Sequence, residues 1–326
     1  MLWLGVPDLL LAAEEGEATL LRPRVLPTLG LGTAGLFDRT AEVVCEGLRR
    51  GFRLFDTAQA LEWYREEGLG WALRSCGPVD DVVVVTKVHP RSFERAAMRR
   101  AVRRSRELLF PDDPDRPLDV LLLHAPRCWP GHCSAAEETQ SWQQGWRNLE
   151  QLRDEGAARH IGVSNFDAGL LRELLLLANR RVAVVQNWCV VGLCGLHSRD
   201  QDGPLSPGPT GAAASGRARH RLHGLQLPRH AVGRRQPRAR GPHPTAGELA
   251  TSVPPRDPHP HPQIARRHNV SVSRVVLSWL LQEGVTAIPR SASQEHIADN
   301  AALLSLPPFL TAEDMESIRR LDGSLD

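Results

Sequence analysis

The chain has 326 residues, 41% of them hydrophobic, with 40 basic against 38 acidic side chains and a formal charge of +2. That apolar content suffices for a large globular core, and the charge balance is too even to mark a nucleic-acid binder. No apolar run approaches the ~20 residues of a membrane span.

The six cysteines are scattered through a chain too long to need staples, so they read as free thiols in a reducing compartment. The opening residues, Met1 to Asp8, lack a basic region, and Pro7 and Asp8 interrupt the apolar run, which argues against a signal peptide. A soluble, cytoplasmic protein is expected, with no membrane partner.

Residues 1–24 read as an N-terminal tail or cover. Leu29 to Gly35 reads as a short strand and a tight glycine turn. Val43, Val44 and Leu48 then mark a helix over Thr40 to Arg50, stopped by Gly51. Phe52 to Phe55 is a strand ending on Asp56, and Glu66 to Arg74 is the next helix. Asp81 to Lys87 is a continuous valine strand, the pattern of a parallel strand covered on both faces. A basic amphipathic helix over Ser92 to Leu109 follows, then the apolar strand Leu118 to Leu123, ending in His124. Trp142, Trp146, Leu149 and Leu152 share a helical face, and Gly156 ends that helix. His160 to Asn165 is a strand with a polar end, Asp167 caps a helix through Leu177, and Val182 to Val185 leads into Gln186.

Strands alternating with helices imply βα units and a parallel sheet. Polar residues stand at the C-terminal ends of these strands: Asp56, Lys87, His124, Ser164, Asn165 and Gln186. In a barrel of βα units that end carries the active site. From about residue 192 to 262 the character changes to Pro, Gly, Arg and His, with no sustained apolar period. Such a stretch cannot offset chain entropy of ~1–2 kcal/mol per residue and reads as disordered. Order returns at Gln263. Ser271 caps a helix through Gln282, Thr286 to Ser291 is a last strand and loop, and Thr311 to Asp314 has the form of a capping box before a helix with Met315, Ile318 and Leu321 inward.

Lys87 is the only lysine and Tyr64 the only tyrosine. Arginine does not replace lysine where a compact ammonium with a tunable proton is needed. A free phenol, with a pKa of ~10, is too weak an acid for efficient proton exchange near neutrality. An ammonium beside it favours the phenolate and lowers that value. A carboxylate, Asp56, keeps the lysine charged, and an imidazole, His124, shares the proton work. The set suits protonating a carbonyl oxygen while hydride reaches the carbon. No side chain donates hydride, so a nicotinamide cofactor is required.

The segments LGLGTAG, FDTAQALEWYREEGLG, VVVVTKV, DVLLLHAP, GWRNLEQLRDEG, HIGVSNF, VVQNW and VTAIPRSASQEHIADN resemble the aldo-keto reductase family, in its own order, over about residues 25–188 and 263–322. The resemblance implies a (β/α)8 barrel and NADPH-dependent reduction of an aldehyde or ketone. It implies Tyr64 as general acid, Lys87 and Asp56 as its tuning pair, and His124 as the residue orienting the carbonyl. Ser164, Asn165 and Gln186 would bond the nicotinamide carboxamide; Arg290, Ser291 and Asn300 would hold the adenosine end. Arg290 and His296 stand where the family has basic residues, which favours NADP over NAD.

Two features depart from that pattern. Many members place the tyrosine five residues after the aspartate, where this chain has Leu61. The stretch 192–262 lacks a recognisable seventh strand, pyrophosphate-clasping loop and stacking tyrosine, and it reads as out-of-frame or intron-derived sequence within an intact frame. The expected barrel, in two parts (25–191 and 263–326), is therefore incomplete or distorted around its seventh strand, with two unpaired edges. The alternative function is a catalytically inactive barrel that binds cofactor or a partner.

Gly30, Gly32 and Gly35 spell a dinucleotide-type GxGxxG, but the only acid at the end of a following strand about 20 residues on is Asp56, and the barrel uses it better. His124, Cys128, His132 and Cys133 match no common zinc spacing, so no metal is expected.

Overall fold

The computed structural model describes residues 2–5, 26–77, 81–188 and 260–322. Residues 192–259 of the Pro/Arg/His-rich stretch, and with them its expected disorder, lie outside the described residues. A strand, β1 (Leu2–Gly5), comes first. It is followed by β2 (Leu31–Gly32), α1 (Thr40–Arg49), β3 (Leu54–Asp56), α2 (Glu66–Ser75), β4 (Val83–Val88) and α3 (Arg95–Leu109). Then come β5 (Leu118–Leu123), α4 (Ala135–Glu138), α5 (Trp142–Asp154), β6 (Ala158–Ser164), α6 (Ala168–Leu177) and β7 (Val184–Trp188). The last part holds α7 (His261–His268), α8 (Val272–Gln282), β8 (Thr286–Ile288), α9 (Gln294–Ala301) and α10 (Ala312–Asp322).

Strands β2 to β7 pair in sequence order, each parallel to the next, with Leu31 opposite Phe55, Val85 opposite Val120 and Val163 opposite Val185. The other side of β2 meets β8, where Gly30 N donates to Ala287 O at 2.8 Å and Ala287 N to Thr28 O at 2.9 Å. Between β7 and β8 lies β1, antiparallel to both, with Leu4 opposite Gln186 on one side and Thr286 on the other. The ring therefore closes. The barrel is distorted around its seventh strand, but the two edges are not left unpaired: an exposed row of N–H and C=O groups captures a strand, and here the N-terminal tail supplies it.

The helices follow their local signals. Asp167 Oδ1 accepts from Leu170 N at 2.8 Å, and Ser271 Oγ from Arg274 N at 3.1 Å. Thr311 and Asp314 exchange bonds of 3.2 and 2.9 Å, the capping box expected. Asp314 is fully buried and also accepts from Arg267 and His268 of α7, which ties α10 to that helix. Gly156, at φ +79°, ends α5 in the left-handed region, where a Cβ is costly. Helix α3 starts later than expected, at Arg95, because Glu94 caps it through Ala96 N and Ala97 N. Helix α7 begins at His261, ahead of Gln263, where order was expected to return.

The cysteine expectation is corrected. Cys45 of α1 is bonded to Cys76, just past α2, and Cys128 to Cys133 in the loop after β5, so no described cysteine is free. The packing of α1 against α2 brings the first pair within reach, and the turn at Gly131, φ +78°, folds the second together.

Candidate active site

Every second side chain of a barrel strand faces inward. Leu54, Val85, Val120, Leu122, Val184 and Ile288 meet in one buried cluster, separate from the larger core shared with the helices. Two residues further along the same strands stand Asp56, Lys87, His124, Gln186 and Arg290. The polar row is thus the next layer above an apolar plug, set by the period of the strand.

Lys87 is 1% exposed. Its Nζ donates to Asp56 Oδ1 at 2.5 Å and to Thr57 O at 2.8 Å. Gln186 Nε2 donates to the same Asp56 Oδ1 at 2.9 Å. The Tyr64 ring lies 5.3 Å from the ammonium and meets the His124 ring edge-on at 5.8 Å. A turn delivers the tyrosine: Tyr64 N and Trp63 N both donate to Ala60 O at 2.9 Å, and Tyr64 packs with Ala58 and Ala60. Asn165, at φ +59°, donates from Nδ2 to His124 O at 2.7 Å and to Ser164 Oγ at 3.2 Å.

The structure thus gathers Asp56, Tyr64, Lys87, His124 and Gln186, with Ser164 and Asn165 on their flank. It joins Arg290 to them as well, since its Nη1 donates to Ala34 O at 3.0 Å and its charge is felt by Tyr64. Ser291 Oγ accepts from Ser293 N at 3.0 Å, while Ser293 caps α9 and Asn300 is buried on that helix. No side-chain hydrogen bond links Arg290, Ser291 and Asn300 among the described residues.

Electrostatics correct one expectation. The Tyr64 phenol is not lowered by Lys87; burial, and then the negative charge of Asp56, push it well above its usual range, with Arg290 opposing. Burial pulls the Lys87 ammonium down, while Asp56 and Glu66 support it. His124 falls well below the usual range through burial and then the charge of Lys87, so its imidazole is neutral at pH 7.

Several residues escaped the sequence reading. Trp129 stands edge-on to His124 at 4.9 Å, to Trp63 at 5.2 Å and to His89 at 5.4 Å, an aromatic wall beside the candidate catalytic histidine. Its signal was its place five residues after His124, inside a Cys-Trp-Pro-Gly-His-Cys loop. Glu66 is buried behind Lys87 and accepts from Thr86 Oγ1 at 2.6 Å and Ser105 Oγ at 2.9 Å.

The donor set suits a nicotinamide. Gln186 Oε1 and His124 Nδ1 are buried with no partner among the described residues, and the first can accept from a carboxamide N–H.

Residues 28–202 and 257–322 match the Aldo/keto reductase family. An aldo-keto reductase of Mycolicibacterium smegmatis is 30% identical over 316 residues, covering 95% of this chain and 92% of that protein. Glyoxal reductase of Bacillus subtilis is 29% identical over 300 residues, covering 91% and 89%. An aldo-keto reductase of Bombyx mori, solved in complex with NADP, superposes with a TM-score of 0.60 over 91% of this chain and 89% of its own at 20% identity, which bears on fold alone. None of these similarities supports the reading of an inactive barrel.

Proposed function

We infer the function from one premise: the chain belongs to the aldo/keto reductase family. It is an NADP-dependent oxidoreductase that carries out carbonyl reduction. We propose that its substrate is an aldehyde or ketone, reduced to the alcohol, and that small reactive dicarbonyls are accepted, as the name of the Bacillus subtilis relative suggests.

NADPH, when bound, supplies the hydride. Ser164, Asn165 and Gln186 hold the nicotinamide carboxamide in this reading, and Arg290, Ser291 and Asn300 serve its phosphate and adenosine end, with His296 nearby. Tyr64 keeps its proton because burial and Asp56 raise its pKa, so the phenol enters the reaction as an acid. Neutral His124 orients the carbonyl oxygen by a hydrogen bond. As the oxygen gains negative charge it takes the phenolic proton, and the Lys87 ammonium stabilises the phenolate left behind. Asp56 holds that ammonium at 2.5 Å. Trp63 and Trp129 form an apolar wall that excludes water from the exchange.

The observation that carries this reading is the buried contact of Asp56, Lys87, Tyr64 and His124 at one end of the barrel. Purified protein with NADPH and glyoxal should show loss of the cofactor absorbance. Tyr64→Phe should lower kcat by about 10²–10⁴-fold while leaving cofactor binding intact. Equal turnover by the variant would remove Tyr64 from the role.

A further inference from the structure

The loop after β5 is closed on itself by the Cys128–Cys133 bond, and the ring so formed carries Trp129 and His132. Both side chains pack on Trp63, with ring centroids 5.2 Å and 5.1 Å away. Trp129 also meets the His124 ring at 4.9 Å. Trp63 precedes Tyr64 in the turn whose two N–H groups bond Ala60 O. The closed loop therefore braces the imidazole that orients the carbonyl against the turn that delivers the phenol. We propose that the Cys128–Cys133 bond is a thiol-responsive clasp: closed, it positions Trp129 on His124 and Trp63 for turnover; opened by a dithiol, it releases Trp129 and slows the reaction. The effect on turnover rests on the carbonyl-reductase reading above.

Little else fixes this loop. Its internal backbone bond runs from His132 N to Trp129 O at 3.1 Å. Among the described residues, no backbone–backbone hydrogen bond joins residues 128–133 to another element. Opening the ring returns conformational freedom to its backbone, and ring packing alone must then hold Trp129. A tryptophan that leaves His124 also admits water to the exchange. The bond can be reached: Cys128 and Cys133 are half-buried, between exposed Arg127, Pro130, Gly131 and Ser134. Cys45 of the other pair is buried where α1 packs on α2.

The chemistry balances. One thiolate of a dithiol attacks a sulfur of the pair, and the other cysteine leaves as a thiolate that takes a proton. The second thiol of the reductant then attacks its own mixed disulfide and releases the first cysteine. The pair gains two electrons and two protons, and the dithiol becomes a disulfide.

The test uses the full chain as isolated, with the bond confirmed by mass spectrometry. Dithiothreitol is added to the folded protein and removed under inert gas; iodoacetamide should then label Cys128 and Cys133. The kcat for NADPH-dependent glyoxal reduction should fall about 10–10²-fold and return on reoxidation. NADPH affinity should stay within about 2-fold, a split that general loosening of the barrel would not give. Cys128→Ser/Cys133→Ser, checked for folding by circular dichroism, should match reduced wild type and ignore dithiothreitol. Amide exchange in residues 125–134 should quicken on reduction. The proposal is overturned if the two cysteines stay unlabelled, if kcat is unchanged in the labelled protein, or if NADPH affinity falls as far as kcat. A response that survives in the double variant also overturns it, because other cysteines would then carry the effect. If the oxidised chain shows no turnover, the reductase reading fails instead, and unchanged exchange in residues 125–134 then overturns the clasp.

Discussion

Behind the candidate catalytic lysine lies Glu66, a carboxyl group whose pKa burial raises from 4.5 to about 7, against the opposing bonds from Thr86 and Ser105. The folded state therefore keeps a proton that the unfolded state releases, and stability falls as pH rises from about 4.5 to about 7. Above that window the cost is on the order of 3 kcal/mol. Glu66→Gln can still bond both hydroxyls and removes the charge. Its urea midpoint should exceed that of wild type at pH 8 and match it at pH 4.5; equal midpoints at pH 8 would mean Glu66 ionises without cost. At the same scale, Lys87→Arg should lower kcat at least about 10²-fold in NADPH oxidation assays, because a planar guanidinium cannot fill a slot built for one ammonium. Lys87 and Tyr64 were legible in the sequence because each is the only one of its kind, beside motifs at strand ends. The cysteine pairs and Trp129 were not, because their partners come from elements or loop turns that meet only after folding.

At the level of elements, α2 crosses α3 at Gly70, where an added Cβ would run into the backbone of Leu108 and Leu109. Backbone cannot move aside as a side chain can, so Gly70→Ala should destabilise by about 1–3 kcal/mol or more, read as a lower denaturant midpoint. An unchanged midpoint would mean the two helices slide apart freely. Caps at Asp167, Ser271 and Thr311 were readable because their chemistry spans only three residues. Helix α4 was not foreseen; it is one turn long, held by a capping box between Ser134 and Glu137. Helix α3 starts at Arg95 rather than Ser92 because the Glu94 carboxylate takes the first free N–H groups, a bond that apolar periodicity does not report.

For the whole molecule, closure of the ring depends on β1. Leu4→Pro removes an N–H from a strand paired on both sides. It should lower the thermal midpoint by several degrees and increase light scattering as β7 and β8 gain free edges. A variant that melts like wild type would show that β1 adds nothing to closure. The parallel strands β2 to β8 were legible from short apolar runs with polar ends, alternating with helical periodicity and glycine stops. The antiparallel strand was not: a four-residue segment carries little periodicity of its own, and it is chosen by the gap it fills. Because β1 precedes in sequence every strand it joins, it has no place to dock until both neighbours have formed. Ring closure is then the final, long-range act of folding, slow by the standards of local pairing, and until it happens the backbone of Gln186 lacks Leu4, its neighbour in the ring.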